Sequence, residues 1–301
     1  TPGYDSPPAE LTNVNGTLFF TGDDGVHGRE LWKSDGTPEG TVMVEDIEPG
    51  PDSSVSGTSD QTLTNVGGTL FFRAWQSTTG AELWISDGTP EGTVGFDKRP
   101  GDVGIGPENL IDVNGTLFFA GNGGTHYELW KSDGTFDGTV QVKEINPNPG
   151  EASMPDHMIV MNGTLFFAAD DGVHGRELWK SDGTESGTQM VKDIWPGATG
   201  SDPLRSSGSD LHAAVLGNLL LFGADDGVNG LELWKSDGTA DGTQMVKEIY
   251  GELPGDSYKD GRPLYLTTFQ GYVYFEACSK IYGWELWRSD GTEAGTTLFK
   301  D

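Results

Sequence analysis

Apolar residues in this chain fall in short clusters, each closed by a polar step that contains glycine. The first stretch sets the pattern. Leu11 to Val14 is followed by Asn15-Gly16, then by Thr17-Leu18-Phe19-Phe20 and Asp23-Asp24-Gly25. Glu30-Leu31-Trp32-Lys33 comes next, then the longer step Asp35 to Gly40, then Thr41 to Val44. Asn-Gly and Asp-Gly supply the positive φ angles that tight hairpins need, so the pattern predicts four short antiparallel strands. No stretch carries a sustained helical period with caps. Leu18-Phe19-Phe20 is apolar on both faces of a strand, which predicts a sheet covered on both sides.

The same pattern returns five more times. Glu-Leu-Trp-x-Ser-Asp-Gly-Thr occurs six times, with its tryptophans at 32, 84, 130, 179, 234 and 287, spaced 46 to 55 residues apart. A period of that size marks a solenoid, an array or a propeller. Four strands per repeat, six times over, predicts an all-β, six-bladed β-propeller as a single domain over 1–301. The blades fall at about 11–47, 63–97, 110–145, 158–194, 211–249 and 264–301. The strand order predicts closure by packing of first blade on last, without strand exchange. An open solenoid cut from a longer protein is the alternative.

The string ELWKSDGTPEGT and its five siblings resemble the bacterial ELWxxDGT-repeat proteins over essentially the whole chain. That resemblance implies a secreted or surface-exposed propeller. It implies no activity, because the family is defined by its repeat.

Six internal copies permit an internal comparison. A feature in every blade is a demand of the fold, and a feature in some blades is where function would be added. By this test the motif tryptophans wedge blades together. The motif glutamates (Glu30, Glu82, Glu128, Glu177, Glu232 and Glu285) accept backbone N–H bonds from the next blade. The Ser-Asp-Gly-Thr-x-x-Gly-Thr hairpin bonds its own turn.

The variable positions carry the candidate chemistry. Three of the six loops between strands two and three begin with paired aspartates: Asp23 and Asp24, Asp170 and Asp171, Asp225 and Asp226. Carboxylates beside glycine turns suit Ca²⁺, which takes 6–8 oxygen ligands, and a solvated hairpin turn is the alternative. Trp75 and Trp284 lie in two-to-three loops with Tyr127, and Trp195 and Tyr250 begin four-to-one loops. These five aromatics map to one face and are the candidate contacts for a glycan or a protein partner. A third set precedes the first hairpin of each copy: Glu10, Thr62, Asn109, His157, His212 and Tyr265, predicted to ring the mouth of a channel. Here Glu10, Asn109 and Asp156 resemble the acid and amide set of calcium-dependent lactonase propellers. That resemblance implies a metal-dependent hydrolase, but Thr, Tyr and His stand at the remaining positions. His157 and His212 would alternatively take Zn²⁺ or Cu²⁺.

Composition narrows the field. The chain has 18 Lys plus Arg against 47 Asp plus Glu, a formal charge of −29, with no basic run. Such a polyanion repels a phosphate backbone, so nucleic acid is not a partner. No apolar stretch approaches the ~20 residues of a membrane helix, so no membrane insertion is expected. One cysteine, Cys278, excludes an internal disulfide framework. Asn15, Asn114 and Asn162 match the glycosylation sequon, and hairpin turns account for them equally. The leading expectation is a secreted or cell-surface, non-enzymatic binding scaffold for a glycan or protein, stabilised by Ca²⁺. The alternatives are a lactonase-like hydrolase and a structural repeat of an adhesin or matrix protein.

Overall fold

The computed structural model describes residues 7–56, 63–124, 126–204, 212–251 and 260–301. In the first repeat the strands are β1 (Ala9–Val14), β2 (Thr17–Asp23), β3 (Arg29–Ser34) and β4 (Val42–Glu45). They pair antiparallel in the order β1-β2-β3-β4. The middle pair runs longer than the apolar pattern alone marks, because its ladder continues to Asp23↔Arg29. Five more sheets repeat this order, at 64–96, 108–143, 156–192, 213–247 and 264–300. The architecture is an all-β, six-bladed propeller with four antiparallel strands per blade. Two compact units divide the chain, Thr1–Glu144 with blades 1 to 3 and Ile145–Asp301 with blades 4 to 6.

The turns explain the hairpins. Asn15, Asn114 and Asn162 have φ of 52°, 54° and 52°, followed by glycines at 89°, 84° and 75°. Two successive left-handed residues match the twist of the strands they join.

Each blade buries its two faces differently. Opposite residues on paired strands share a face, so Phe20 lies beside Trp32 and Phe72 beside Trp84, with ring centroids 6.4 and 6.3 Å apart. In the first unit, Leu70, Phe72 and Trp84 of blade 2 pack on Phe19, Leu31 and Val44 of blade 1. Leu117, Phe119 and Trp130 of blade 3 pack on Phe71, Leu83 and Phe96 of blade 2. The second unit repeats the scheme, with Trp234 against Phe166 and Leu178, and Trp287 against Leu221 and Leu233. Trp84, Trp130, Trp234 and Trp287 therefore wedge a blade onto its predecessor, each burying ~150–250 Å².

Candidate functional site

Glu30, Glu82, Glu177 and Glu232 are structural, with a change of partner from the sequence expectation. Glu30 accepts N–H bonds from Ile47 and Ser54, each 3.1 Å, and is bonded by the Ser54 hydroxyl. Glu177 accepts from Trp195 N (3.0 Å), Ser201 N (2.9 Å) and Ser201 Oγ (2.5 Å). Glu232 accepts from Ile249 N (2.8 Å) and Tyr250 N (3.1 Å). These donors lie in the connector leaving the same blade's fourth strand, not in the strands of the next blade. The connector turns away from the sheet just there, so its N–H groups have no ladder partner and need an acceptor. Burial pushes the Glu30 and Glu82 carboxyls up to about 7 and that of Glu232 up to about 8, while the N–H bonds pull the other way.

The Ser-Asp-Gly-Thr hairpin consumes its own polar groups. Asp35 Oδ1 accepts from Thr37 N (2.9 Å) and Thr37 Oγ1 (2.7 Å), and Thr37 Oγ1 accepts from Gly40 N (2.9 Å). Ser34 Oγ and Thr41 Oγ1 lie 2.7 Å apart. A Cβ at Gly40 would overlap the Asp35 carboxylate, so glycine is required there.

The paired aspartates spend most of their acceptors on their turns. Asp23 Oδ1 accepts from Gly25 N at 2.7 Å, and Asp24 Oδ1 accepts from Val26 N and His27 N at 2.9 Å. Asp24 Oδ2 lies 2.7 Å from His27 Nδ1. Asp170 and Asp171 bond Gly172, Val173 and His174 in the same way, and Asp225 and Asp226 bond Gly227, Val228 and Asn229. The His27 backbone and side-chain bonds hold Asp24 down at about 2. Burial lifts Asp225 above the usual carboxylate range instead. Among the described residues no group of three or more His, Cys, Asp or Glu side chains is placed to hold a metal ion.

The five aromatics differ in exposure. Trp75, Tyr127 and Trp284 lie in strands, at 69–76, 127–132 and 283–289, and not in the two-to-three loops the sequence suggested, because the ladder of the middle pair runs on past the apolar cluster. Trp75 is 39% exposed, and its backbone N–H donates to Ser54 O at 2.7 Å. Trp284 is 44% exposed. Trp195 is half-buried, with its indole lying over Gly227 where a Cβ would overlap it. Tyr127 is half-buried with its hydroxyl 3.5 Å from Glu108, and Tyr250 is half-buried beside Glu232. Trp195 therefore packs on the turn of the next blade that holds Gly227, and Tyr250 is tied through its backbone N–H to Glu232.

Glu10, Asn109, His157 and Tyr265 share one backbone feature, φ of 56°, 57°, 51° and 56°. Each sits at a register shift on its blade's first strand, where two residues oppose one on the second strand. A bulge of this kind re-aims a side chain and is over-represented near active sites. Thr62, the second-blade member of the set, lies outside the described residues. His212 is fully buried, its Nδ1 accepts the Tyr265 N–H at 3.0 Å, and the two rings meet edge to face at 5.3 Å. One ring nitrogen of His212 is thus already spent.

Arg73, Glu108, Arg176 and Asp202, which the sequence reading passed over, gather beside these bulges. In the first unit Arg73 Nη1 lies 3.4 Å from Glu108 Oε1. In the second unit Arg176 pairs with Asp156, its Nε is 3.6 Å from Asp202, and Asp156 Oδ1 is 2.6 Å from His157 Nδ1. His126 is a further departure. Five blades place glycine two residues before the motif glutamate (Gly28, Gly80, Gly175, Gly230 and Gly283), with φ between 69° and 76°. Blade 3 has His126 there, buried, with Nε2 3.6 Å from Glu128 and 3.7 Å from Glu144, at a cleft completed by Gly123, Gly124 and Gln141. The broken glycine rule was the signal for it.

No family model matches this chain, and no curated protein matches it. Solved structures do. Oligopeptidase B from Leishmania major is 12% identical, with a TM-score of 0.54 over 98% of this chain and 40% of that one. A prolyl endopeptidase is 14% identical, with a TM-score of 0.51 over 98% and 41%. A puromycin hydrolase is 12% identical, with a TM-score of 0.45 over 97% and 53%. The chain spans between two-fifths and just over half the length of these proteins. At such identities the likeness is one of fold.

Proposed function

We propose that this chain is a non-catalytic recognition module, displayed outside the cell, that binds a glycan or a protein surface through aromatic side chains on the strand ends that flank its two-to-three turns. The observation that carries this is Trp75, a large aromatic left exposed near the end of its blade's second strand, where the ladder to Ala81 and the bond to Ser54 hold the backbone still. A rigid, exposed tryptophan loses little entropy on binding and is the residue type most enriched at binding hot spots. The uniform repeat positions support the same reading, because their polar groups are bound to the chain's own backbone. The high negative charge suits a protein kept soluble in a saline medium, and Ca²⁺ bound by the remaining aspartate oxygens would lower that charge. The test is a glycan array followed by titration calorimetry on the best binder, with wild type and Trp75→Ala. Binding without turnover, weakened about tenfold or more (roughly 1.4 kcal/mol) in the variant, is the expected result. Undiminished binding by a variant that melts like wild type contradicts the assignment of Trp75.

A second reading rests on the Arg176, Asp156, His157 and Asp202 cluster beside the blade 4 bulge. The chain would then be the propeller segment of a larger hydrolase. That reading requires ester or peptide turnover lost in His157→Ala.

A further inference from the structure

Blade 3 breaks the repeat at one position. In blades 1, 2 and 4 the glycine two residues before the motif glutamate is hemmed in by the connector that follows. A Cβ at Gly28 would lie 2.4 Å from Asp52 O, at Gly80 2.3 Å from the Val103 carbonyl carbon, and at Gly175 2.5 Å from Gly200 N. Blade 3 carries an imidazole there instead. His126 is 8% exposed, and its Nδ1 has no hydrogen-bond partner among the described residues. Its Nε2 lies 3.6 Å from Glu128 Oε1 and 3.7 Å from Glu144 Oε1. Both gaps are too long for a direct hydrogen bond and ask for an atom between.

The ring nitrogens define what that atom must do. A buried N–H without an acceptor is a rarer and costlier defect than a bare ring nitrogen. The proton is therefore assigned to Nε2, on the side of the two carboxyl groups. A primary ammonium has only donors and would meet this N–H head on. A carboxylate or phosphate would be repelled by Glu144. A metal-binding imidazole would present a bare Nε2 and donate Nδ1–H to a second group, and Nδ1 has none. A neutral hydroxyl remains, because it accepts from Nε2–H and donates to a carboxyl oxygen. The cleft around these groups holds about 130 Å³ and is bounded by Gly123, Gly124 and Gln141. Glycine keeps its wall low: a Cβ at Gly123 would come 2.8 Å from the Trp130 ring, and one at Gly124 (φ 137°) would meet nothing within 4 Å.

We infer that this cleft is a subsite for one sugar unit, held by two adjacent hydroxyls; the ligand class rests on the glycan reading proposed above. The first hydroxyl accepts from His126 Nε2–H and donates to Glu128 Oε1. A hydroxyl has a single proton, so Glu144 takes its proton from the neighbouring hydroxyl. The Glu144 side chain is 60% exposed, which sets it at the mouth of the cleft, and that of Glu128 is 1% exposed, at its base. The Gln141 amide offers both a donor and an acceptor to the rest of the ring. A few placed polar groups in a concave site fix orientation and specificity.

Saturation-transfer NMR with free glucose, galactose, mannose and N-acetylglucosamine tests this on wild type, His126→Gly, Glu144→Gln and Trp75→Ala. At least one sugar should bind wild type and Trp75→Ala alike, bind Glu144→Gln about tenfold more weakly, and fail to bind His126→Gly. His126→Gly restores the residue of the other five blades. Should it melt below wild type, Glu144→Gln carries the test. Heteronuclear spectra of the histidine rings should place the His126 proton on Nε2, with ring signals that move as sugar is added. Sugar binding undiminished in both cleft variants overturns the inference, and if Trp75→Ala abolishes that binding the proposed function stands without this subsite. Failure of every sugar to bind wild type also overturns it, leaving the protein arm of that function. So does a His126 proton on Nδ1, or His126 ring signals that respond to zinc chloride or ethylammonium chloride and not to sugar.

Discussion

At the scale of single residues, the six-fold comparison separates two kinds of polar group. Asp35 and Thr37 bond their own turn, and Glu30 bonds its own connector, so both are parts of the scaffold. That assignment was legible in the sequence because the residues recur without substitution. The partner of the glutamate was not legible. The recurrence says that an acceptor is needed, and only the path of the connector says which N–H groups need it. Burial of these carboxyls has a consequence for pH. Glu232 is raised to about 8 from a usual 4.5, so the folded chain holds a proton that the unfolded chain releases. Stability contributed by the protonated form is complete below about 4.5 and is lost as pH rises through about 8. Melting temperatures between pH 5 and pH 9 should therefore fall with pH, and Glu232→Gln should flatten that slope. A variant with the wild-type slope would show that Glu232 is ionised throughout.

At the scale of the element, the alternation of Leu18, Phe19 and Phe20 predicted a blade covered on both faces, and blades 2 to 5 are built that way. The bulges were not readable from the apolar pattern. Counting from the hairpin located Glu10, Asn109, His157 and Tyr265, but only the backbone shows a left-handed residue opposing a single partner. The arginines beside them were missed because Arg73 and Arg176 fall inside strands whose apolar positions dominate the reading. The 41% exposure of Leu286 also escaped the sequence, since it is identical in type to the fully buried Leu233. Their environments differ, and a matched pair of truncations reads the difference. Leu233→Ala should cost ~2–5 kcal/mol, as a cavity in a closed core does. Leu286→Ala, measured in dilute solution, should stay within ~0.5 kcal/mol, as at an open surface. Equal losses would mean that blade 6 is covered on both faces.

At the scale of the whole molecule, the account assigns stability to what all six blades share and recognition to what a few blades add. The repeat made the fold legible, because a 46 to 55 residue period with four strands admits few architectures. It left the ligand illegible for the same reason, since most of the sequence is spent on specifying blades. Solved peptidase propellers of 12% and 14% identity agree in fold and leave that division of labour untouched. Blade 2 carries both kinds of residue in one chemical type. Trp84 is buried against blade 1, and Trp75 stands 39% exposed on the same sheet. The most direct measurement is the unfolding free energy of Trp84→Ala beside Trp75→Ala. The account predicts a loss of ~3–5 kcal/mol for Trp84 and a change within ~0.5 kcal/mol for Trp75. Comparable losses at both positions would contradict it, because the exposed tryptophan would then be scaffold too.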